Sequence, residues 1–255
     1  AMEVTAKEIV AFEPDLGIII SPHGLMFRDA VSMWLEPELK GDFSQFGHPQ
    51  LKMALPVDMD LGKKLVKTMD NEGMPLAVLT RENFPKHWDQ SLDHGIMVPY
   101  YFLERAGVKM PILAFTYGSM PREELYRFGQ VLQGVLEKEQ KKIVIIASGD
   151  LSHCLKDGGP YEYREEGPAF DKELLERLAT KGLDSIMEMD ESLIEGAGQC
   201  GYPALVVLAG LLNRRPVTAQ QLSYEGPYGV GYAVVRWETM EQDPYIALAK
   251  ESIDY

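Results

Sequence analysis

The sequence is poor in cysteine and has no long hydrophobic run. Its 255 residues include two cysteines, Cys154 and Cys200, too few for a disulfide framework, so a reducing cytoplasm is the expected location. The longest strongly apolar stretch, residues 204–212, is too short to span a bilayer, and no basic segment followed by an apolar one indicates a signal peptide. We therefore expect neither a disulfide-rich secreted protein nor a membrane-spanning one.

Positive charge is also scarce. The chain carries 25 lysines and arginines against 39 aspartates and glutamates, which gives a formal net charge of −14. This excess of negative charge argues against general binding to nucleic acid or to an anionic membrane surface, because both are themselves negatively charged. We therefore expect neither of them as a partner.

Several common catalytic and cofactor-binding motifs are missing. The sequence has no GxGxxG fingerprint, no phosphate-binding loop and no GxSxG turn, and it has no HExxH or paired CxxC. It also lacks internal repeats, linkers and low-complexity segments. If the protein binds a metal ion, its ligands must come from segments that are far apart in the chain.

Strand-like and helix-like segments alternate along the whole chain, which predicts one α/β domain over residues 1–255. The predicted strands are residues 16–21, 51–58, 75–80, 111–117, 143–147, 217–223 and 230–237. The predicted helices are residues 4–12, 58–69, 96–103 with Pro99 in the first turn, 121–141, 170–179, 183–189 and 203–212, followed by a C-terminal amphipathic helix. Residues 41–49, 81–92 and 155–166 are expected to be irregular, and residues 196–201 a turn.

The stretch from Ile143 to His153 is the strongest signal in the sequence. It begins with four β-branched residues in a row, which predict a strand buried on both faces, and it breaks at Ser148-Gly149-Asp150. His153 follows just past the carboxyl end of that strand, where open α/β sheets place their ligand sites. The alternative is that Asp150 or Ser152 caps a helix and that His153 is a surface residue.

Two more of the five histidines stand beside turns next to apolar segments. His23 follows the predicted strand 16–21 and repeats the arrangement of His153, and His94 stands between Asp93 and Gly95 at the start of an apolar segment. A single histidine in such a place is more often structural, but three of them favour a shared site. His48 lies in a loop, and His87 is expected at the surface.

Two other positions are candidates for binding. Gln199 and Cys200 stand in a turn of small residues, where they either contribute a ligand or, for the cysteine, pack in the interior. Glu225 lies in a turn rich in glycine and proline between two predicted strands. It is a candidate metal ligand, a substrate contact or a solvated turn residue.

Four motifs occur in a fixed order along the chain. They are Ser21-Pro22-His23, Leu92-Asp93-His94-Gly95, SGDLSH at residues 148–153 and SYEGPYGVGY at residues 223–232. Together they resemble the family of class III extradiol ring-cleavage dioxygenases. The sequence is most similar to the dioxygenase-like domain of the AmmeMemoRadiSam system, which is related to Memo proteins. The resemblance spans nearly the whole chain.

This resemblance implies a central, mostly parallel sheet flanked by helices and a non-haem Fe(II) ion held by two histidines and a carboxylate. His23 would be one ligand, and another would come from the segment that contains Gln199 and Cys200. His153 would act as acid and base on a small aromatic substrate without binding the metal, and His94 would orient that substrate. We assign Glu225 and His48 to substrate binding, and we expect a homo-oligomer, as relatives tend to form.

The sequence departs from the family pattern in two places. The motif that carries the first ligand histidine would lie before residue 1, in an N-terminal strand that this chain lacks. Gln199 stands where a glutamate is expected, and Cys200 matches a cysteine that Memo-like proteins use for metal. Because a thiolate favours softer metals, Zn or Cu are alternatives to Fe(II). Two functions follow: an Fe(II)-dependent extradiol dioxygenase, or a Memo-like metal-binding or partner-binding protein without ring cleavage.

Overall fold

The computed structural model describes residues 1–83, 92–159, 161–213 and 215–239. The strands are β1 (Leu16–Ser21), β2 (Val31–Trp34), β3 (Glu38–Phe43), β4 (His48–Pro56), β5 (Leu76–Leu79), β6 (Ile112–Thr116), β7 (Ile143–Ala147), β8 (Val217–Glu225) and β9 (Tyr232–Thr239). The α-helices are α1 (Met2–Phe12), α2 (Met59–Asn71), α3 (His94–Ala106), α4 (Arg122–Leu136), α5 (Glu166–Thr180), α6 (Glu191–Gly196) and α7 (Tyr202–Leu212). Short 3₁₀ helices span Ser44–Phe46 and Leu183–Glu188.

The central sheet has five strands in the order β5-β2-β6-β1-β7. Every neighbouring pair is parallel except β2 and β6, which are antiparallel. All six residues of β1 are buried, as expected for a strand that has neighbours on both sides and helices over the sheet. The predicted single α/β domain with a mostly parallel sheet flanked by helices is confirmed. Because β1 and β7 are adjacent and parallel, the loops that follow them start side by side.

Helix α7 is the most buried helix of the domain, and its close contact with α4 depends on glycine. Ten of its eleven residues are buried, in agreement with the apolar run in the sequence. A methyl group added to Gly210 would lie 1.9 Å from the carbonyl oxygen of Tyr126, and one added to Gly129 would lie 2.2 Å from that of Val207. These contacts bring the two helix backbones close together and fix the position of the N-terminus of α7.

Strand β7 is an outer strand of the sheet in the part of the chain that the structure describes. Its last three residues, Ile145 to Ala147, are only half-buried, so the prediction of burial on both faces is wrong for this half of the strand. The hairpin of β8 and β9 lies beyond it and contacts the loop after β7, where the amide of Leu151 donates to the carbonyl of Gly231. A cavity of about 670 Å³, lined largely by apolar side chains of β7, β9, α1 and α7, separates the two strands.

Several predicted boundaries differ from the structure. Helix α4 ends at Leu136 rather than residue 141, because the polar residues after it carry no apolar face and form turns. Helix α3 begins at His94 because Asp93 accepts the amides of Gly95 and Ile96, so Pro99 is not in the first turn. The helix predicted over residues 183–189 is a 3₁₀ helix.

The predicted loop at residues 41–49 contains the end of β3 and the start of β4, which form an antiparallel hairpin around the first 3₁₀ helix. Strand β2 and helix α6 were not predicted, and the last hairpin strand starts at Tyr232 instead of residue 230. The predicted C-terminal helix, His87 and most of the irregular stretch 81–92 lie outside the described residues. Among the described residues, no helix is both long enough and apolar enough to cross a membrane.

Candidate metal centre

Three side chains from distant parts of the sequence meet at the carboxyl ends of β1 and β7. His23 follows β1, His153 lies in the loop after β7, and Cys200 precedes α7. The sulfur of Cys200 lies 4.0 Å from Nε2 of His23 and 3.9 Å from Nε2 of His153. Asp150 adds a carboxylate, because its Oδ2 lies 3.4 Å from Nε2 of His153. The cluster therefore combines two imidazoles, a thiol and a carboxylate.

Backbone contacts between two loops hold Cys200 in this position. The carbonyl of Asp150 accepts the amides of Cys200 and Gly201 at 3.2 and 2.7 Å, and the amide of Asp150 donates to the sulfur of Cys200 at 3.2 Å. Gly149 has a φ of 151°, and a methyl group there would lie 2.5 Å from Cα of Gly201. Glycine at position 149 thus allows the close approach of the two loops, because only glycine has no side chain to clash. The hydroxyl of Tyr117 in addition donates to the carbonyl of Cys200 at 2.6 Å.

His94 belongs to the same site through its contact with His23. The two rings stack with their centroids 3.9 Å apart, and Phe46 meets the ring of His94 edge-on at 5.3 Å. Asp93 caps α3 and also accepts the hydroxyl of Ser21 at 2.5 Å, which ties the start of α3 to the end of β1. These contacts place His94 beside His23.

Hydrogen bonds, burial and neighbouring charges shift the pKa values of the residues in the cluster. Burial, the largest influence on Cys200, raises its pKa, but hydrogen bonds with His153 and His23 and with the Asp150 amide outweigh burial and lower the pKa to about 7. Hydrogen bonds with Asp150 and then Cys200 raise the pKa of His153 to about 9. The pKa of His23 is raised by Cys200, whereas burial and the neighbouring His23 lower that of His94. Without metal, the site therefore pairs a thiolate with a protonated imidazole in about half of the molecules at pH 7.

The distances among Asp150, His153 and Cys200 fit a transition-metal ion, and His23 lies near the sulfur without being a member of this group. Asp150, His153 and Cys200 each offer one ligand atom, and these atoms lie within 4.8 Å of one another. In a tetrahedral site with bonds of about 2.3 Å to sulfur and 2.05 Å to nitrogen, those two ligand atoms are about 3.6 Å apart. The separations of 3.9 and 4.0 Å from sulfur to each imidazole exceed this value by only a few tenths of an ångström. Imidazole and thiolate are ligands for Fe, Zn and Cu.

Three of the sequence candidates do not join the cluster. Oε1 of Gln199 accepts the amide of Tyr202 at 2.8 Å, which uses the amide oxygen as a cap for α7. His48 is exposed at the start of β4 with a contact to Gln50, and Glu225 is exposed at the end of β8. Neither His48 nor Glu225 lines the large cavity, whereas His23, His94 and Asp150 do.

Asp150 was considered in the sequence only as a helix cap, and its place in the cluster was missed. The signal that could have found it is its spacing from His153. A carboxylate three residues before a histidine, directly after a buried strand, can reach the same side of the turn. The proximity of Asp150 to Cys200 could not be predicted from sequence spacing, because it depends on contacts between loops that are 50 residues apart in the chain.

Comparisons with known proteins agree with this fold. Residues 1–235 match the family model described as the catalytic LigB subunit of aromatic ring-opening dioxygenase. Protein CA_C1420 of Clostridium acetobutylicum is 35% identical over 99% of this chain, and the aligned region spans 59% of that protein's own length. A 4,5-DOPA dioxygenase extradiol-like protein of Schizosaccharomyces pombe is 29% identical over 69 residues, which are 27% of this chain and 22% of that protein.

A solved structure has the same fold at low sequence identity. The crystal structure of the uncharacterized protein JW3007 from Escherichia coli K12 superposes with a TM-score of 0.61 at 15% identity and covers 91% of both chains. At that identity the likeness concerns the fold alone. The family match covers most of the chain, and the chain therefore belongs to the LigB family of catalytic subunits of aromatic ring-opening dioxygenases.

Proposed function

We propose that this chain is a metal-dependent oxidoreductase of the extradiol type that acts on a small aromatic substrate with neighbouring hydroxyl groups. The convergence of His23, His153 and Cys200 at the carboxyl ends of two adjacent strands carries the proposal. Fe(II) is the ion that this reaction uses, and Zn or Cu are the alternatives that a thiolate ligand favours. When bound, Fe(II) would supply the chemistry that activates dioxygen beside the aromatic diol.

The residues of the chain divide the work in the following way. His23 and Cys200 would hold the ion, and His94, which stacks on His23 and meets Phe46 edge-on, would orient the substrate. His153 moves a proton at its Nε2, as general base and then as general acid, which requires that metal binding to Cys200 lower the pKa of about 9 that the imidazole has without metal. Asp150 holds the His153 ring through Nε2 in the absence of metal.

The position of His153 also allows a second assignment of the metal ligands. Its Nε2 belongs to the group of three ligand-type atoms with Asp150 and Cys200, so it could bind the ion instead of moving a proton. The two assignments predict different outcomes for His153→Ala. If His153 transfers a proton, the variant keeps its metal content and loses turnover. If His153 is a metal ligand, the variant loses metal.

A metal-binding protein of the Memo type, without ring cleavage, is the second candidate function. Two observations favour it. The candidate ligand atom next to His23 is the sulfur of Cys200, and the side chain at the position of the expected carboxylate, Gln199, already caps α7. A protein that binds copper or iron through Cys200, and that consumes no dioxygen with any catechol, would establish this function in place of the first.

The first experiment is elemental analysis of the purified protein, followed by metal titration. Cys200→Ala should abolish stoichiometric binding, and Cys154→Ala is the matched control, since Cys154 is buried outside the cluster. Dioxygen uptake with a panel of catechols then separates the two functions. The same measurements belong on a version extended upstream of residue 1. Absence of metal from both versions would contradict the proposal.

The cavity beside β7 supports the further proposal that an N-terminal strand with a ligand histidine precedes residue 1. The amide of Ser148 faces β1, so the backbone groups of Ile143, Ile145 and Ala147 point away from β1 toward the cavity. An apolar strand edge of this kind is normally covered. The cavity continues to His23, so a strand placed in it would end at the candidate metal centre.

Hydrogen exchange tests this proposal. In the version extended upstream, the outward amides of Ile145 and Ala147 should exchange at least tenfold more slowly than in the 255-residue chain, because a new strand accepts them. The amide of Ile146, which faces β1, is the internal control. Unchanged exchange at Ile145 and Ala147 in a folded, extended protein would contradict the added strand, whatever the metal content.

Location and assembly are proposals as well. The small number of cysteines favours a reducing cytoplasm, and we propose that copies of the chain assemble into a homo-oligomer. Light scattering of the purified protein tests the assembly, and a monomer at micromolar concentration would contradict it.

A further inference from the structure

The loop that carries His153 is held from behind by a buried carboxylate. Asp171, on α5, is 1% exposed, and its Oδ1 accepts the backbone amide of Ser152 at 2.8 Å. Its Oδ2 accepts the hydroxyl of Tyr224 on β8, also at 2.8 Å. One carboxylate thus links α5, the hairpin and the residue next to His153. A buried carboxylate with two good hydrogen bonds is costly to disturb, because loss of one leaves a buried polar group unsatisfied.

Further contacts make this loop rigid around Ser152. The Ser152 side chain is fully buried, donates to the carbonyl of Ala197 at 2.9 Å and accepts the amide of Cys154 at 2.9 Å. The amide of His153 donates to the same Ala197 carbonyl at 3.2 Å. The backbone on both sides of His153 is therefore fixed, and from it the imidazole reaches Asp150 and Cys200 and stacks on Tyr161.

The hairpin motif SYEGPYGVGY, which the proposed reaction does not use, completes the same arrangement. Gly231 exchanges two backbone hydrogen bonds with the loop, one with Leu151 and one with Ser152. A methyl group at Gly231 would lie 2.1 Å from Oδ2 of Asp171, so glycine is needed for the carboxylate to reach Tyr224. The motif thus supplies both the hydroxyl that Asp171 accepts and the space in which the carboxylate lies.

We propose that Asp171 is a positioning residue, and that together with Tyr224 it holds the Ser152–His153 backbone so that the imidazole faces Cys200 and Asp150. As far as it concerns metal binding or turnover, the inference rests on the proposed function. The orientation of His153 itself does not depend on that function, and it can be measured in the metal-free protein.

The test compares two tyrosine–aspartate pairs. Tyr224→Phe removes one hydroxyl from the pair that touches the His153 loop. Tyr126→Phe is the matched control, because the hydroxyl of Tyr126 donates to Asp184 at 3.0 Å in another part of the fold. Asp171→Ala removes the carboxylate, and Asp171→Asn restores the shape with an oxygen that can still accept the Ser152 amide.

The first readout is the NMR signal of the His153 ring in chelator-treated protein labelled in its histidines, assigned with His153→Gln. In Asp171→Ala we expect the ring signal to move to that of a mobile, exposed histidine and the Ser152 amide to exchange at least tenfold faster. Tyr224→Phe should shift both in the same direction, Asp171→Asn should restore them, and Tyr126→Phe should leave them unchanged. If Asp171→Ala does not fold, Tyr224→Phe, which lacks a single oxygen atom, decides the question.

The second readout is affinity for Zn²⁺. Loss of a residue that orients a ligand commonly weakens metal binding by about 10–100-fold, and we expect a loss in this range for Asp171→Ala if His153 is a ligand. An unchanged His153 ring signal in folded Asp171→Ala or Tyr224→Phe would overturn the positioning role. A wild-type protein that binds no Zn²⁺ or iron would instead contradict the proposed function and leave the NMR result to decide the role of Asp171.

Discussion

In the metal-free protein, Cys200 should titrate near neutral pH, and His153→Gln should move that titration upward. Although burial is the largest influence and raises the pKa, hydrogen bonds with His153, His23 and the Asp150 amide bring it to about 7. An ordinary cysteine has a pKa of about 8.5, so the site favours the thiolate by about 2 kcal/mol. Because His23 remains in the variant, we expect the pKa to rise by about one unit rather than to the ordinary value.

The size of this effect makes it measurable by alkylation. At pH 7 about half of Cys200 should be thiolate, against about 3% of an ordinary cysteine. Because a thiolate of lower pKa is a weaker nucleophile, we expect Cys200 to react only about threefold faster with iodoacetamide than an ordinary cysteine. Cys154 is fully buried and should stay unmodified while the protein is folded. Mass spectrometry of the two cysteine peptides, over a series of pH values and with a chelator present, gives the midpoint for Cys200 alone.

The control for this experiment is His48→Gln, which makes the same chemical change at an exposed histidine outside the cluster. We expect its midpoint to equal that of the wild type. A wild-type midpoint at pH 8.5 or above would refute the thiolate–imidazolium pair. A midpoint that does not move in His153→Gln would show that the contact between His153 and Cys200 does not stabilise the thiolate in solution.

Three other predictions concern separate parts of the molecule. His153→Ala should abolish dioxygen uptake with a catechol and leave the metal content unchanged, and a fall in metal content would make His153 a ligand. Gln199→Ala should lower the free energy of unfolding by about 1 kcal/mol, because the Tyr202 amide loses its partner, with no change in metal content. Gly210→Ala should lower it by about 2 kcal/mol or more in denaturant titrations, because its methyl group would meet the backbone of α4. Gly134→Ala, with open space around it in α4, should instead be neutral or stabilising, and equal losses in the two variants would contradict the packing argument.

The sequence predicted most of the parallel sheet because its strands are buried and apolar. The bounds of β1 and β7 were predicted correctly, since continuous β-branched runs end at clear turn residues. Strand β2 was missed because it has only four residues, pairs with β6 over two positions and shows no periodicity of its own. Strand β3 was missed, and β4 was predicted only from residue 51, because the hairpin tip is polar and half exposed, so strand pairing and not burial defines it.

The sequence predicted those site residues that directly follow a strand. It did not predict the residues that reach the site only through tertiary contacts. His23 and His153 follow the carboxyl ends of buried strands, a position that indicates a site without any structure. Asp171 lies in the middle of an amphipathic helix, and its sequence context is the same as that of a solvated residue. Only the fold shows that this face of α5 turns toward the loop after β7, where the carboxylate meets the amide of Ser152.

The position of Cys200 follows from the packing of α7 more than from its own neighbours in sequence. Cys200 stands two residues before this helix, and α7 is fixed in turn by the close backbone contact that Gly210 makes with α4. The sheet determines the positions of His23 and His153, whereas the helices packed on the sheet determine the position of the Cys200 sulfur. The distances of 3.9 and 4.0 Å from this sulfur to the two imidazoles therefore depend on how the helices pack against the sheet. A substitution at Gly210 that displaces α7 should therefore lengthen both distances and lower the thiolate fraction of Cys200 at pH 7, although it touches no residue of the cluster.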